Sequence, residues 1–291
     1  MGPCSTKTLG ALALALLPCG CTPDFAPEWL IKDLRILAIR AEPPEVLLPA
    51  GSTDFPPVQV EALSVDPTAP QAEVDWELIG CSNEETRCDL ATYRKVVGFG
   101  HGRLDTVQCE VRLPIDLYQA ALAADPLRGL GGVAVMLQLS VRREGQEAIA
   151  VKRLVYGTPT PPAKTPNRNP SLIVTADEQP PPSSWTIDAG RKVVLRPVSL
   201  PTDKEHYWVA TYSGGSRELD EFLSYSFFTT AGALSDAQTG GRPIAFIENK
   251  KTTDLSSEWT APTSAGPVTL WIVVRDDRGG AGWTGLTATI L

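Results

Sequence analysis

The sequence predicts an all-β protein of two tandem antiparallel β-sandwiches, joined by a proline-rich linker and preceded by a cleaved leader. Three observations carry that expectation. Apolar and polar residues alternate along extended stretches: Val133, Val135, Leu137, Leu139 and Val141 form one apolar row, and Val268, Leu270, Ile272 and Val274 form another. Five prolines fall between Gly157 and Pro170, where they favour extended backbone and remove ladder donors. Turn and strand signals then recur in the same order on both sides of that stretch. A length of 291 residues suits about two domains, and 26 prolines with 24 glycines exceed what a helical protein tolerates.

Residues 1–20 read as a signal peptide. Lys7 and the α-amine give a positive start, and an apolar run follows from Leu9 to Leu17. As a helix that run covers about 13 Å against roughly 30 Å of bilayer hydrocarbon, too short to span. It ends in Leu17, Pro18, Cys19, Gly20, Cys21, which resembles the lipobox of bacterial lipoproteins because a small residue immediately precedes a cysteine. The resemblance implies cleavage after Gly20 and lipidation of Cys21 by diacylglycerol and a further acyl chain such as palmitate, an anchor that holds stably. Pro18 and Cys19 depart from the residues that family prefers, and a plain secreted protein is the alternative. Thr22 after the cysteine is similar to the enterobacterial pattern for the outer membrane. Residues 21–32 then form a tether.

Cleavage and lipidation leave Cys81, Cys88 and Cys109 in an exported, oxidising setting. Pairing Cys81 with Cys88 would stabilise by roughly 2.5 kcal/mol in the chain-entropy model, and pairing Cys88 with Cys109 by roughly 3.4 kcal/mol, so energetics do not choose. The polar segment Ser82 to Arg87 favours a Cys81–Cys88 disulfide, since it would turn the two ends together. A zinc site on Cys88, His101 and Cys109 is the alternative, although the spacing matches no compact zinc knuckle.

The first module occupies residues 33–157, with strands expected at Asp33 to Glu42, Val58 to Val65, Val74 to Ile79, Val133 to Val141 and Ala148 to Val155. A helix is expected from Asp116 to Ala124, stopped by Pro126. Residues 158–170 form the linker, expected to act as a semi-rigid spacer. The second module, 171–291, should hold strands at Arg191 to Arg196, His206 to Tyr212, Phe222 to Thr229, Val268 to Val274 and Gly282 to Leu291. Two signals repeat between the halves. Pro49-Ala50-Gly51 and Asp188-Ala189-Gly190 each precede a strand, and Val141 to Gly145 and Val274 to Gly279 each read as a charged turn inside a closing hairpin.

With Trp76 placed between Val74 and Cys81, like the tryptophan of a central strand, the chain resembles the immunoglobulin-like sandwich domains of bacterial surface proteins. The segments LRILAIRAEPP (Leu34 to Pro44) and WTAPTSAGPVTLWIVVRDDRGGAGW (Trp259 to Trp283) are similar to uncharacterised outer-membrane lipoproteins of soil-dwelling gliding bacteria. That resemblance implies a fold and a location but no chemistry.

Composition narrows the function. Hydrophobic residues at 43% and charged residues at 21% exclude a wholly disordered chain, a coiled coil and a multi-span membrane protein. A net charge of −8 repels phosphate backbones, so no nucleic-acid partner is expected. His101 and His206 are the sole histidines and fall in different modules, and no nucleophile elbow, phosphate loop or His-Glu-x-x-His pair occurs. No catalytic residues, metal or cofactor are therefore expected. Glu218, Asp220 and Glu221 would suit a glycosidase pair, but the adjoining Ser213-Gly214-Gly215-Ser216 points to a solvated loop. Asp276 and Asp277 invite calcium, yet the following Arg-Gly-Gly is ordinary hairpin chemistry. Trp271 lies opposite the apolar row of its strand and so faces solvent, the other module or a partner. The expected function is a membrane-anchored, non-catalytic binding or scaffolding element of the envelope, with a protein or envelope polymer as partner. The alternatives are a hydrolase of glycans or peptides and a calcium-rigidified adhesin.

Overall fold

In the computed structural model, which describes residues 26–49, 51–82, 86–159, 165–242 and 253–291, the alternating segments pair into two successive sandwiches. The first contains β1 (Arg35–Glu42), β2 (Glu45–Leu47), β3 (Val58–Val65), β4 (Glu73–Ser82), β5 (Arg94–Arg103), β6 (Gln108–Val111), helix α1 (Ile115–Ala124), β7 (Val133–Arg143) and β8 (Gln146–Gly157). Its sheets run β1-β3-β6 and β2-β8-β7-β4-β5. The second contains β9 (Ile173–Ala176), β10 (Trp185–Ile187), β11 (Lys192–Val198), β12 (His206–Ala210), β13 (Ser216–Asp220), β14 (Leu223–Thr229), β15 (Ala233–Leu234), β16 (Gln238–Gly240), β17 (Ser257–Thr260), β18 (Gly266–Asp276) and β19 (Ala281–Ile290).

The two halves share one topology. The second module's sheets run β9-β11-β17-β15 and β10-β19-β18-β14-β16, so each has a counterpart in the first module. In each, a short strand pairs parallel with the final strand, β2 with β8 and β10 with β19. Gly51 (φ 77°) and Gly190 (φ 72°) occupy the same topological place just after that short strand, in a left-handed conformation that favours glycine. The closing hairpins correspond too: Glu144 (φ 45°) and Gly145 (φ 81°) turn β7 into β8, as a two-residue turn between twisted strands requires. The modules differ in their insertions. Helix α1 belongs to the first, and the separate β12–β13 hairpin to the second.

Each sandwich buries its own core. Val135, Leu137 and Val141 of β7 face Val58, Val111 and Leu117 in the first, while Trp259, Tyr225, Phe227, Leu270 and Ile272 fill the second. Burial of such side chains stabilises by about 1.5–3 kcal/mol each, before conformational entropy is counted. Strand β5 was not among the expected strands, and its Gly98, Gly100 and Gly102 weaken a strand signal. The reason for glycine is close approach: a Cβ on Gly100 would lie 2.6 Å from Cζ2 of Trp76 on the neighbouring strand.

The linker and the tether differ from their expected roles. Thr165 to Pro170, within the expected semi-rigid spacer, form a segment docked on both modules. Asn167 is buried, its backbone N–H donating to Glu45 Oε2 at 3.1 Å and its Nδ2 to Asp276 Oδ2 at 3.1 Å, so one residue contacts both modules. The tether docks as well: Ile31 N–H donates to Thr229 O and Thr229 N–H to Trp29 O, both at 2.9 Å, at the end of β14. Satisfying backbone groups and burying Ile31 outweigh the chain freedom that a loose tether would keep. Residues 1–25, with Cys21 and the expected signal peptide, lie outside the described residues. Among the described residues, no helix is long and apolar enough to cross a membrane.

Candidate binding cleft between the modules

The outer face of β3 looks toward the outer face of β18 and β19. Strand alternation dictates this: Val58, Val60 and Ala62 point into the first core, leaving Leu63 and Val65 outward, and Val268, Leu270 and Ile272 point into the second, leaving Trp271 and Val273 outward. At the base the two faces meet. Ile31, Leu37, Ala38, Val65 and Val273 are buried there, with Phe228, Trp271 and Trp283 packed against them. Trp271 thus takes the inter-module position among those its alternation allowed.

Beyond that contact the faces diverge into a cleft of about 590 Å³. Trp271 and Trp283 lie on one wall with Thr269, and Glu61 lies on the other. Trp271 stands opposite Gly285 in the β18–β19 ladder, and a methyl group at 285 would sit 3.6 Å from its Cδ1, so the indole lies over the neighbouring strand. Trp283 carries the guanidinium of Arg40 4.9 Å from its ring centroid. The carboxylates of the cleft are matched: Glu61 pairs with Arg40 at 2.5 Å, Asp105 with Arg103 at 2.6 Å and Asp66 with Arg143 at 2.8 Å. No lysine or arginine lines the cleft.

A second, polar joint fixes the same interface. Arg278 in the β18–β19 turn donates to Glu45 Oε2 at 2.6 Å and Glu205 Oε2 at 2.9 Å, and stacks 4.6 Å over the ring of Tyr207. Arg275 donates to the carbonyl of Leu37, and Lys152 to that of Gly279, so each module reaches the other's backbone. Burial pushes the Lys152 ammonium down to about 8. Burial likewise raises Glu221 to about 8, and the nearby Asp276 carboxylate adds to the rise. Glu221 Oε2 accepts the Glu205 N–H at 3.3 Å, while Oε1 is buried without a hydrogen-bond partner.

The residues singled out in the sequence fall elsewhere. Cys81 and Cys88 form a disulfide with Cα atoms 5.4 Å apart, and Cys88 N–H donates to the buried Gln138 Oε1 of β7 at 3.0 Å. The disulfide removes Cys88 from the zinc donor set. Cys109 is a free thiol, half-buried, and burial pushes it up to about 11. His101 is exposed on β5 and bonds Asp75 Oδ1 at 2.8 Å, and His206 bonds Asp220 Oδ1 at 2.5 Å across the β12–β13 hairpin. Glu218 is exposed on that hairpin while Glu221 is buried in the joint, and neither lines the cleft. The Asp276 carboxylate accepts N–H groups from Arg278 (2.9 Å) and Gly280 (2.6 Å) besides Asn167, and Asp277 pairs with Arg242 at 2.5 Å. Among the described residues, no group of three or more His, Cys, Asp or Glu is arranged to hold a metal ion. Sequence reasoning missed Arg278, Glu45 and Asn167. The charged turn that holds Arg278 was visible, but its partners Glu205 and Glu45 lie 73 and 233 positions away.

No family model matches the chain, and no curated protein matches it. Three solved structures show what it is similar to. A nucleoside hydrolase-related hypothetical protein from Saccharophagus degradans is 14% identical with a TM-score of 0.28, over 43% of this chain and 26% of that one. Red sea bream transglutaminase is 13% identical with a TM-score of 0.26, over 90% of this chain and 32% of that one. Escherichia coli α2-macroglobulin activated by porcine elastase is 7% identical with a TM-score of 0.26, over 91% of this chain and 22% of that one. The chain thus spans a third or less of each structure, and at these scores the likenesses carry no argument about activity.

Proposed function

We propose that this protein is a lipid-anchored, non-catalytic binding or scaffolding element of the cell envelope, held at the outer membrane through Cys21 in the manner of the lipoproteins its leader resembles. The observation that supports it is the buried joint, in which Arg278 links Glu45 of the first module to Glu205 of the second, each of the three side chains more than nine-tenths buried. Modules on a loose linker move independently by default. A joint of this kind instead presents both walls of the cleft together, as a binding surface shared by two modules needs. The partner is a protein or an envelope polymer, since a net charge of −8 disfavours nucleic acid.

The test is crosslinking in living cells, with a photoreactive residue at Pro267 on the cleft and, for comparison, at Tyr212 on the β12–β13 hairpin, alongside mass spectrometry of the mature N-terminus. Adducts specific to position 267 and a triacylated Cys21 are expected. An unmodified Cys21 thiol on a soluble species would remove the anchor. Turnover of glycan or peptide substrates that disappears in Glu218→Gln or Glu221→Gln would replace the binding function with the hydrolase.

A further inference from the structure

The cleft between the modules has a chemistry that narrows its ligand. Its volume of about 590 Å³ lies within the range of small-molecule sites and is too large for a single ion. Trp271 gives it a flat apolar surface, beside Trp283 whose ring carries Arg40, and such a surface suits the C–H face of a ring. Thr230, Thr269, Glu61 and Asp105 add hydroxyl and carboxylate oxygens, groups that accept hydrogen bonds from ligand hydroxyls.

Charge excludes the other classes. An anionic ligand would find no lysine or arginine in the lining, and the arginines beside it, Arg40 and Arg103, are already committed to Glu61 and Asp105. A cationic ligand would meet carboxylates already neutralised, because Glu61 and Asp105 each carry their own arginine at 2.5 and 2.6 Å. A peptide cannot add here as a further strand, because β18 is paired on both sides and β3 lies between β1 and β6. The lining therefore favours a ligand with apolar ring faces, hydroxyls and no net charge. We propose that the inter-module cleft binds a neutral oligosaccharide, with Trp271 as the stacking platform and Thr269 and Glu61 on opposite walls as hydrogen-bonding groups. This rests on the binding-element function proposed above and names its ligand class.

The experiment titrates the full chain, in a detergent without a sugar head group, with cellotriose, maltotriose, mannotriose, xylotriose and triacetylchitotriose. Trigalacturonate and chitosan trimer serve as the acidic and basic comparators, and tryptophan fluorescence and calorimetry are the readouts. At least one neutral trisaccharide should saturate the protein below about 10 mM. Trp271→Ala should weaken it at least about tenfold, Trp271→Phe less, and Trp208→Ala, on the hairpin outside the cleft, not at all. Thr269→Arg, which fills the cleft from a half-exposed position without touching either core, should also abolish binding and keeps the test valid if Trp271→Ala fails to fold. No saturation by any neutral sugar, tighter binding of either charged comparator, or binding that survives Thr269→Arg would each overturn the proposal. If the sugars fail while position 267 still crosslinks in cells, the ligand class falls and the binding function stands.

Discussion

Arg278 Nη2 lies 2.6 Å from Glu45 Oε2, which joins the final hairpin turn of the second module to the short edge strand β2 of the first across 233 positions of sequence. The same guanidinium reaches Glu205 Oε2 at 2.9 Å, so one cation serves two buried carboxylates from different modules. Asn167 of the linker donates to Glu45 Oε2 as well and closes the network from above. The joint therefore depends on a planar fork with several donors, a geometry that arginine has and lysine lacks.

Removing that fork takes the buried ion pair from Glu45 and one of two arginine partners from Glu205, whose Oε1 still meets Arg168 at 2.6 Å. Arg278→Ala is expected to cost about 3–5 kcal/mol, and Arg278→Lys to recover only part of the loss. Urea denaturation of both variants checks this, and a loss of less than about 1 kcal/mol for Arg278→Ala would place the joint's stability elsewhere.

A cut in the linker should leave the protein whole. With a protease site introduced between residues 160 and 164, the cleaved halves are expected to co-elute on gel filtration, because the docked segment 165–170, Arg278 and the apolar contact around Val273 bind both sides. The same cut in Arg278→Ala should let them separate at low concentration. Separation of the unmutated halves would return the segment to a spacer between independent modules.

Raising the pH from 5 to 8 should weaken the joint. Glu221 has a folded value of about 8, above its ordinary 4.5, so the folded state holds a proton that the unfolded state has released between those values. Stability accordingly falls as pH rises through that window. Asp276, also raised by burial, contributes in the same direction at the acid end. Lys152, lowered from 10.5 to about 8, acts in the opposite direction but only above that window. Thermal melting from pH 5 to 8 should show a falling midpoint, and Glu221→Gln should flatten it. An equal slope in both proteins would assign the effect to other groups.

Reduction acts on one face of the first module. Loss of the Cys81–Cys88 bond is expected to cost about 2.5 kcal/mol and to weaken the hydrogen bond from Cys88 N–H to the buried Gln138. Cys109, raised to about 11 by burial, should alkylate far more slowly than an ordinary exposed thiol at pH 8. Peptide mapping with and without reductant, and a timed iodoacetamide reaction, read the two effects separately.

Strand β7 and strand β18 were legible because their apolar rows repeat every second residue and each faces a core of its own chain neighbours. Strand β5 was not, since its glycines weaken a strand signal locally and are explained only by the indole of Trp76 lying against them. Trp271 shows the limit from the other side. Its orientation away from the core followed from alternation, but whether water, a partner or the other module lay there depended on how the two sandwiches met.

By itself the sequence determined an all-β chain, two modules, the break between them and the favoured Cys81–Cys88 pairing, because strand periodicity, proline and short loops act over a few residues. Only the tertiary structure decided that Thr165 to Pro170 dock, that Arg278 meets Glu45 and Glu205, and that two outward sheet faces leave a tryptophan-lined cleft. Those contacts join residues far apart along the chain. Their energy comes from burial and charge pairing that exist only once both sandwiches have formed, so no local pattern records them.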